Sequence, residues 1–546
     1  MSRRGLTIVV LVQLAALIAV CLLVGDNGWD DGAITLAFSK TFAGHGLVAL
    51  TPHSETVEGF STTSWFQLNA LAALARPSYQ TAILASQVLS ALSICASTVL
   101  LARTCTLLGL GKLFSTLTVV AFAAWGCSYY EAANGMEMGL LAAAFLVMVN
   151  ELVLSRPRLL LLGVGAALAV TTRFEAIAYV SLLALSVALV PGRRAFWGIL
   201  LTCLGTVLLL SIWRLAVFRD FLPNTYWAKR WPPYAGFDFT GRVDSAVEAL
   251  SFFLAPLIAL EVLAGSGFDL AGVVRSRRQT FLILACPVLG AIVMGSLIGK
   301  HWGYDGRMPY FAFPPLLLLF ALAFSAWVNA KRTRFRVAFV IGLYAMSVGT
   351  SMKSFPSGPL SAALDGGSFG VSPRTYAETG RVFRQFATAA DLQHPAVLTP
   401  DVGGLALCCD EFRIVDLALL SNRRLAHNGQ AALAEVLETE SPEIIEAHWE
   451  WALAGHLYEL PYFQAHYLPA FAGGTKLWLR SDVAKSIESK GRGCRVDGSK
   501  TELQEALGAH RYADHDLPAD RRNFERAGVV FALNEADATS KNWCKE

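Results

Sequence analysis

Long apolar runs separated by short polar connections dominate the first 350 positions. Runs of about 15 to 22 residues fall near 5–25, 80–102, 113–129, 136–154, 159–174, 175–190, 196–218, 246–264, 280–299, 311–328 and 337–350, a pattern that predicts about eleven transmembrane helices. The shortest fall below the ~20 residues of a full crossing, so 159–190 is expected to be one tightly turned pair or something less regular.

Charge gives this pattern a direction. Arg3 and Arg4, Arg103 and Lys112, Arg156 and Arg158, Arg193 and Arg194, Arg275, Arg277 and Arg278, and Lys331, Arg332, Arg334 and Arg336 sit at alternate connections. The positive-inside rule puts these connections and the N-terminus in the cytoplasm. The other connections, 26–79, 130–135, the turn near Arg173, 219–245, 300–310 and everything after Ser351, then face outward. The first run is long for a signal peptide and lacks a small-residue cleavage pattern near Gly25, so an uncleaved first helix is expected.

Loop 26–79 carries two mildly amphipathic pieces, Ile34 to Phe42 and Trp65 to Leu74, broken by Gly44, Gly46 and Pro52. They are expected to form helices lying along the outer membrane surface. After Ser351 the pattern changes. A Gly/Pro/Ser linker, 351–370, leads into a segment of ordinary globular balance, 371–546, expected to be a separate outward-facing domain. A polar helix is predicted near 374–391, strands at Ala396-Val397-Leu398-Thr399, Phe412 to Asp416, Glu443-Ile444-Ile445 and Lys476 to Leu479, and a helix near 428–440. Short strands alternating with helices predict an α/β domain. The tail 481–546 is polar and predicts no clear fold.

Composition agrees: 54% apolar and 16% charged residues over 546 positions describe a polytopic membrane protein. A net charge of +3 from 45 basic and 42 acidic residues gives no reason to expect a nucleic-acid partner. Six of the ten cysteines, Cys21, Cys95, Cys105, Cys127, Cys203 and Cys286, fall in or beside apolar runs, where thiols pack as small hydrophobes. Of the remaining four, Cys408, Cys409, Cys494 and Cys544, the last two are a candidate disulfide in an oxidising exterior.

Acids and bases converge on the outward ends: Asp30 and Asp31; Glu131 and Glu137; Arg173 and Glu175; Asn224 and Lys229; His301, Asp305 and Arg307. Membrane-edge acids are costly to desolvate and so are candidate functional groups, although each could instead cap a helix or pair locally. Together they suit sugar transfer, in which a carboxylate accepts a hydroxyl proton and cations stabilise a departing phosphate. Asp30 and Asp31 lie about 100° apart on a helix, so one can enter a shared site, and Asp30 is favoured. Arg307 and Lys229 fit a phosphate role, with lipid-headgroup anchoring the alternative for Lys229. Arg173 and Glu175 would as readily close a turn. His448, His456 and His466 show no metal-ligand spacing with acids, so core or surface roles are expected. No metal site, Ser-His-Asp arrangement, Walker loop or dinucleotide fingerprint is found.

Several of these segments resemble the multi-spanning GT-C glycosyltransferases that use polyprenyl-phosphate sugars. Asp30-Asp31-Gly32-Ala33-Ile34, Gly44-His45-Gly46, and Val57-Glu58-Gly59-Phe60 through Trp65 are similar to the first outer loop of mycobacterial-type terminal arabinofuranosyltransferases. So are Asn134-Gly135-Met136-Glu137, Thr172 to Glu175, Leu222 to Lys229, Gly306-Arg307, Asp401 to Gly404 and Ile414 to Leu417. The chain departs from that pattern at Phe174, where a proline is usual, and at Gly306, where a second arginine is usual.

The resemblance implies a bacterial inner-membrane pentosyltransferase moving D-arabinofuranose from a polyprenyl phosphate to an outward glycan or glycoprotein. A polyprenyl-linked hexose is the alternative donor, and a lipid-linked sugar flippase the rival reading. Asp30 or Asp31 would be catalytic, with Arg307, Lys229, Arg173 and Asn224 near the donor phosphate. Glu58, Glu137, Glu175, Asp305 and Trp65 would hold substrate or structure. The lipid-phosphate sugar is a co-substrate and no cofactor is implied.

Overall fold

The computed structural model describes residues 1–76, 78–188, 193–234, 261, 265, 267–298, 307–330, 333–353, 356–472, 475–497 and 528–534. Among them, five helices are long and apolar enough to cross a membrane: Arg3–Val24 (α1), Tyr79–Leu107, Lys112–Ala133, Arg194–Phe218 and Tyr310–Ala330. Leu270–Ser276 and Arg278–Val293, bent by 100°, make a sixth if the pair is one span. The predicted run 337–350 lies within the helix Arg334–Lys353, and the run 246–264 falls almost wholly outside the described residues.

Three predicted runs form shorter helices, Met138–Leu152, Leu159–Thr172 and Ala176–Ala188, of 15, 14 and 13 residues. The last two stop on either side of Arg173-Phe174-Glu175, where two charges end the apolar pattern. Their neighbours pack closely. Gly165 sits against Met148, where an added Cβ would come within 2.7 Å of the methionine side chain, and Phe145, Phe311 and Phe324 are fully buried in the bundle core.

The outer loop forms two helices, Asp30–His45 (α2) and Thr63–Ala73 (α3). Leu36, Ala37, Phe38 and Ser39 are all buried, so apolar surface surrounds α2 instead of forming one stripe. Such a helix needs cover on both sides. The C-terminal segment supplies it: α2 shares one apolar cluster with Leu405, Ala406 and Ile414. Thr51 Oγ1 donates to the Phe412 carbonyl at 2.6 Å, and the Asp30 amide to the Val371 carbonyl at 3.0 Å. The loop is thus roofed by the C-terminal segment.

Among the described residues, that segment carries a seven-stranded sheet, ordered β2-β1-β3-β5-β4-β7-β6. Its strands are Ala396–Thr399 (β1), Arg413–Asp416 (β2), Ile444–Ile445 (β3), Tyr467–Ala472 (β4), Thr475–Arg480 (β5), Gly493–Asp497 (β6) and Val529–Leu533 (β7). β1 pairs in parallel with both β2 and β3. Four of these follow the predicted runs. β4 is hidden in the sequence by Pro469, a residue that ordinarily argues against an interior strand. β6 and β7 give the polar tail its order. Cys408 and Cys409 are joined to each other by a disulfide. Cys494 is also disulfide-bonded, while Cys544 lies outside the described residues.

Candidate active site

A cavity of about 230 Å³ lies where the outer loop, the helix ends and the C-terminal sheet meet. Trp29, Asp30, Asp31 and Trp65 line it from the outer loop; Glu137, Arg173 and Arg307 from the bundle; Asp401, His448 and Trp451 from the C-terminal segment.

The two adjacent aspartates face different ways. Asp30 is buried, and its carboxylate accepts the amides of Gly403 at 2.9 Å and Gly404 at 2.6 Å. Glycine is required there by close approach. A Cβ on Gly403 would stand 2.6 Å from Asp30 Oδ2, and one on Gly404 only 2.1 Å from the Pro373 carbonyl oxygen. Burial pushes Asp30 up to about 8, with Asp401 adding to the rise and the two amides opposing it. Asp31 instead forms an ion pair with Arg307 Nη1. Burial would raise Asp31, but Arg307 outweighs it and holds the carboxyl below its ordinary range.

From that pair a line of alternating charge runs through the helix ends beside the cavity. Arg307 lies 3.8 Å from Glu137, Arg173 bonds Glu137 at 2.7 Å and Glu175 at 2.8 Å, and Lys229 stands 3.9 Å from Glu175. Helix ends place them. Glu137 is the N-cap of Met138–Leu152, Arg173 the C-cap of Leu159–Thr172, and Lys229 the C-cap of Asn224–Ala228. Acid at an N-terminus and base at a C-terminus also suit the helix dipoles. Against burial, Arg173 and Lys229 hold Glu175 down at about 2.

The other sequence-predicted residues form wall or frame, or fall outside the described residues. Glu58 is buried against Arg214, with both side chains 1% exposed, and does not line the cavity. Asn224 donates to the Leu420 carbonyl at 2.8 Å, tying the 219–234 segment to the C-terminal segment. Trp65 forms wall, its indole N–H donating to the Gly135 carbonyl at 3.0 Å. Asp305, with His301, lies outside the described residues.

His448 is buried, as a core histidine is, and it stands between two acids: its Nδ1 lies 2.6 Å from Glu446 Oε1 and its Nε2 3.2 Å from Asp401 Oδ2. The three offer ligand atoms within 4.8 Å of one another. Spacing along the chain concealed this, because Asp401 follows β1 and reaches the others only through the β1–β3 pairing. Burial raises Asp401, against the opposing pull of His448. Arg214 was missed because an arginine inside an apolar run announces no partner, though a charge there implies one.

No family model matches the sequence, and no curated protein matches it. Among solved structures, ArnT from Cupriavidus metallidurans bound to undecaprenyl phosphate is similar at a TM-score of 0.53 and 13% identity, over 88% of this chain and 98% of that one. The arabinofuranosyltransferase AftD from Mycobacteria is similar at a TM-score of 0.46 and 16% identity, over 91% of this chain and 41% of that one. The likeness to ArnT is one of fold. This chain therefore shares the fold of that structure, a bundle of apolar helices with a C-terminal α/β region.

Proposed function

We propose that the chain is a multi-pass inner-membrane glycosyltransferase that transfers D-arabinofuranose from a polyprenyl phosphate to a glycan or glycoprotein outside the cytoplasm. The observation that carries this reading is the cavity itself, where Arg307, Arg173 and Lys229 stand with the ionised Asp31. Guanidinium groups hold phosphate oxygens in pairs, and a nearby ammonium adds a point charge. An arriving donor phosphate takes Arg307 and releases Asp31 from its ion pair. Asp31 then accepts the proton of the acceptor hydroxyl as its oxygen bonds the anomeric carbon and the carbon–phosphate oxygen bond breaks. The departing phosphate stays on the cations. The undecaprenyl phosphate in the ArnT structure supports a lipid-phosphate donor, while the pentose rests on the resemblance between Asp30 and Trp65.

Sidedness has support in the packing. Arg103 and Arg158 both reach Glu151, and Arg277 donates to the Leu108 carbonyl, so three of the basic connections meet at one end of the bundle. Glu137 and Glu151 stand at opposite ends of one helix. The cavity thus lies away from the basic connections, in keeping with an outward site. A flippase is less well supported, since its phosphate-binding charges belong near the membrane midplane.

The test is a panel of synthetic prenyl-phosphoryl sugars offered to the purified chain with an oligosaccharide acceptor, read by mass. Transfer of arabinofuranose supports the reading. Preference for a hexose overturns the pentose assignment, and failure of every donor overturns the enzyme.

A further inference from the structure

The Asp401–Glu446–His448 cluster is used by none of the chemistry above, and its position in the sheet is informative. β2, β1 and β3 run in parallel in the order 2-1-3, so the winding changes direction between β1 and β3. In open α/β sheets ligands bind outside the carboxyl ends of the strands at such a switch point. Asp401 follows the carboxyl end of β1, and Glu446 and His448 follow that of β3. Asp401 and His448 open onto the cavity.

The side chains are ordered from behind. Thr399 Oγ1 donates to Glu446 Oε2 at 2.7 Å, and Glu446 Oε1 in turn meets His448 Nδ1 at 2.6 Å. A proton on Nδ1 donated to Glu446 leaves the Nε2 lone pair facing Asp401 Oδ2, 3.2 Å away. That oxygen is buried and has no hydrogen-bond partner. Nε2 and this oxygen converge on one point beside the cavity, which a metal ion or a shared proton can occupy. A carboxylate behind an imidazole whose far nitrogen faces a second ligand is the usual outer support of a metal-bound histidine.

We propose that Asp401 and His448 bind a divalent cation of the Mn²⁺ or Zn²⁺ class, with Glu446 fixing the histidine tautomer, on the cavity wall formed by the C-terminal segment. One imidazole and one carboxylate suit these ions better than Ca²⁺ or Mg²⁺, which prefer oxygen-only shells. The remaining coordination positions face the cavity, where oxygens of water or of a bound sugar fill them. The site does not depend on the glycosyltransferase reading, because its test needs no donor.

The experiment uses the full chain in detergent, without a polyhistidine tag, stripped with chelator and titrated with MnCl₂ or ZnCl₂ by calorimetry, with metal content measured after dialysis. One equivalent is expected to bind. Asp401→Asn and His448→Ala should each weaken binding by about 100-fold and Glu446→Gln by about 10- to 100-fold, the range for an outer support. Surface histidines, such as the stacked His53 and His394, add a background the variants leave unchanged. Thermal melting checks that each variant folds; if His448→Ala does not, Asp401→Asn decides. Absence of binding in the wild-type chain, or equal binding in the wild-type chain and Asp401→Asn, overturns the proposal.

Discussion

Asp30 and Asp31 are neighbours in sequence with opposite attachments: Asp30 is held by the backbone amides of Gly403 and Gly404, and Asp31 by the side chain of Arg307. One joins two parts of the chain. The other is held at the cavity by an ion pair with a guanidinium.

The two neutral variants should therefore separate. Asp31→Asn is expected to cut sugar transfer by about 10²- to 10⁴-fold, the usual contribution of a positioned base, with little change in melting temperature. Asp30→Asn should cost about 1–3 kcal/mol of stability, because the nitrogen that replaces one carboxyl oxygen cannot accept the Gly403 or Gly404 amide, and retain most of its rate per folded molecule. Melting curves and transfer assays on the same preparations check this, and the reverse pattern would make Asp30 the base.

Acidity offers a second check. Arg307 holds Asp31 below its ordinary range, so the ionised base persists as pH falls through that range and the rate declines only at more acid pH. In Arg307→Gln the burial of Asp31 is less opposed. Its acid limb should move to higher pH, on top of weaker donor binding. A pH–rate profile of both proteins at donor well below saturation, where the free enzyme is read, shows the shift, and coincident limbs would mean that Asp31 does not govern the rate.

Glu58 and Arg214 make a buried pair with both side chains 1% exposed. Removing one partner leaves an uncompensated charge, so Arg214→Met should cost about 3–5 kcal/mol. The double variant Glu58→Gln with Arg214→Met should recover much of that loss. A double-mutant cycle of melting or denaturant curves measures the coupling.

Gly404→Ala should destabilise the chain by about 1–3 kcal/mol, as overpacking does, because the new methyl would meet the Pro373 backbone. Gly44→Ala is the control, since no atom lies within 4 Å of its added Cβ and surface changes of that kind stay within about 0.5 kcal/mol. Thermal melts of the pair suffice.

Most of this architecture was legible where the pattern was strong. Period and length marked the apolar helices, and β-branched runs marked β1, β2 and β3. The charged residues at helix ends were visible as types, and Asp31, Glu137, Arg173, Lys229 and Arg307 do meet at one cavity. Three things were not legible. The different attachments of Asp30 and Asp31 depend on Gly403 and Gly404, more than 370 positions away. His448 meets Asp401 only through a parallel strand pairing that no local signal encodes. Strand β4 hides behind Pro469, because propensity speaks for single residues while the sheet pairs whole segments.

The two short helices beside Arg173 bear on the lipid as well as on the protein. At 14 and 13 residues they are about 20 Å long, some 10 Å less than the hydrocarbon thickness of a typical bilayer. A mismatch of that size is met by thinning of the adjoining leaflet, which brings headgroups down to the level of the helix ends. Under the proposed function, a prenyl-linked phosphate beside these helices would reach the level of Arg173 without its chain being drawn out of the membrane.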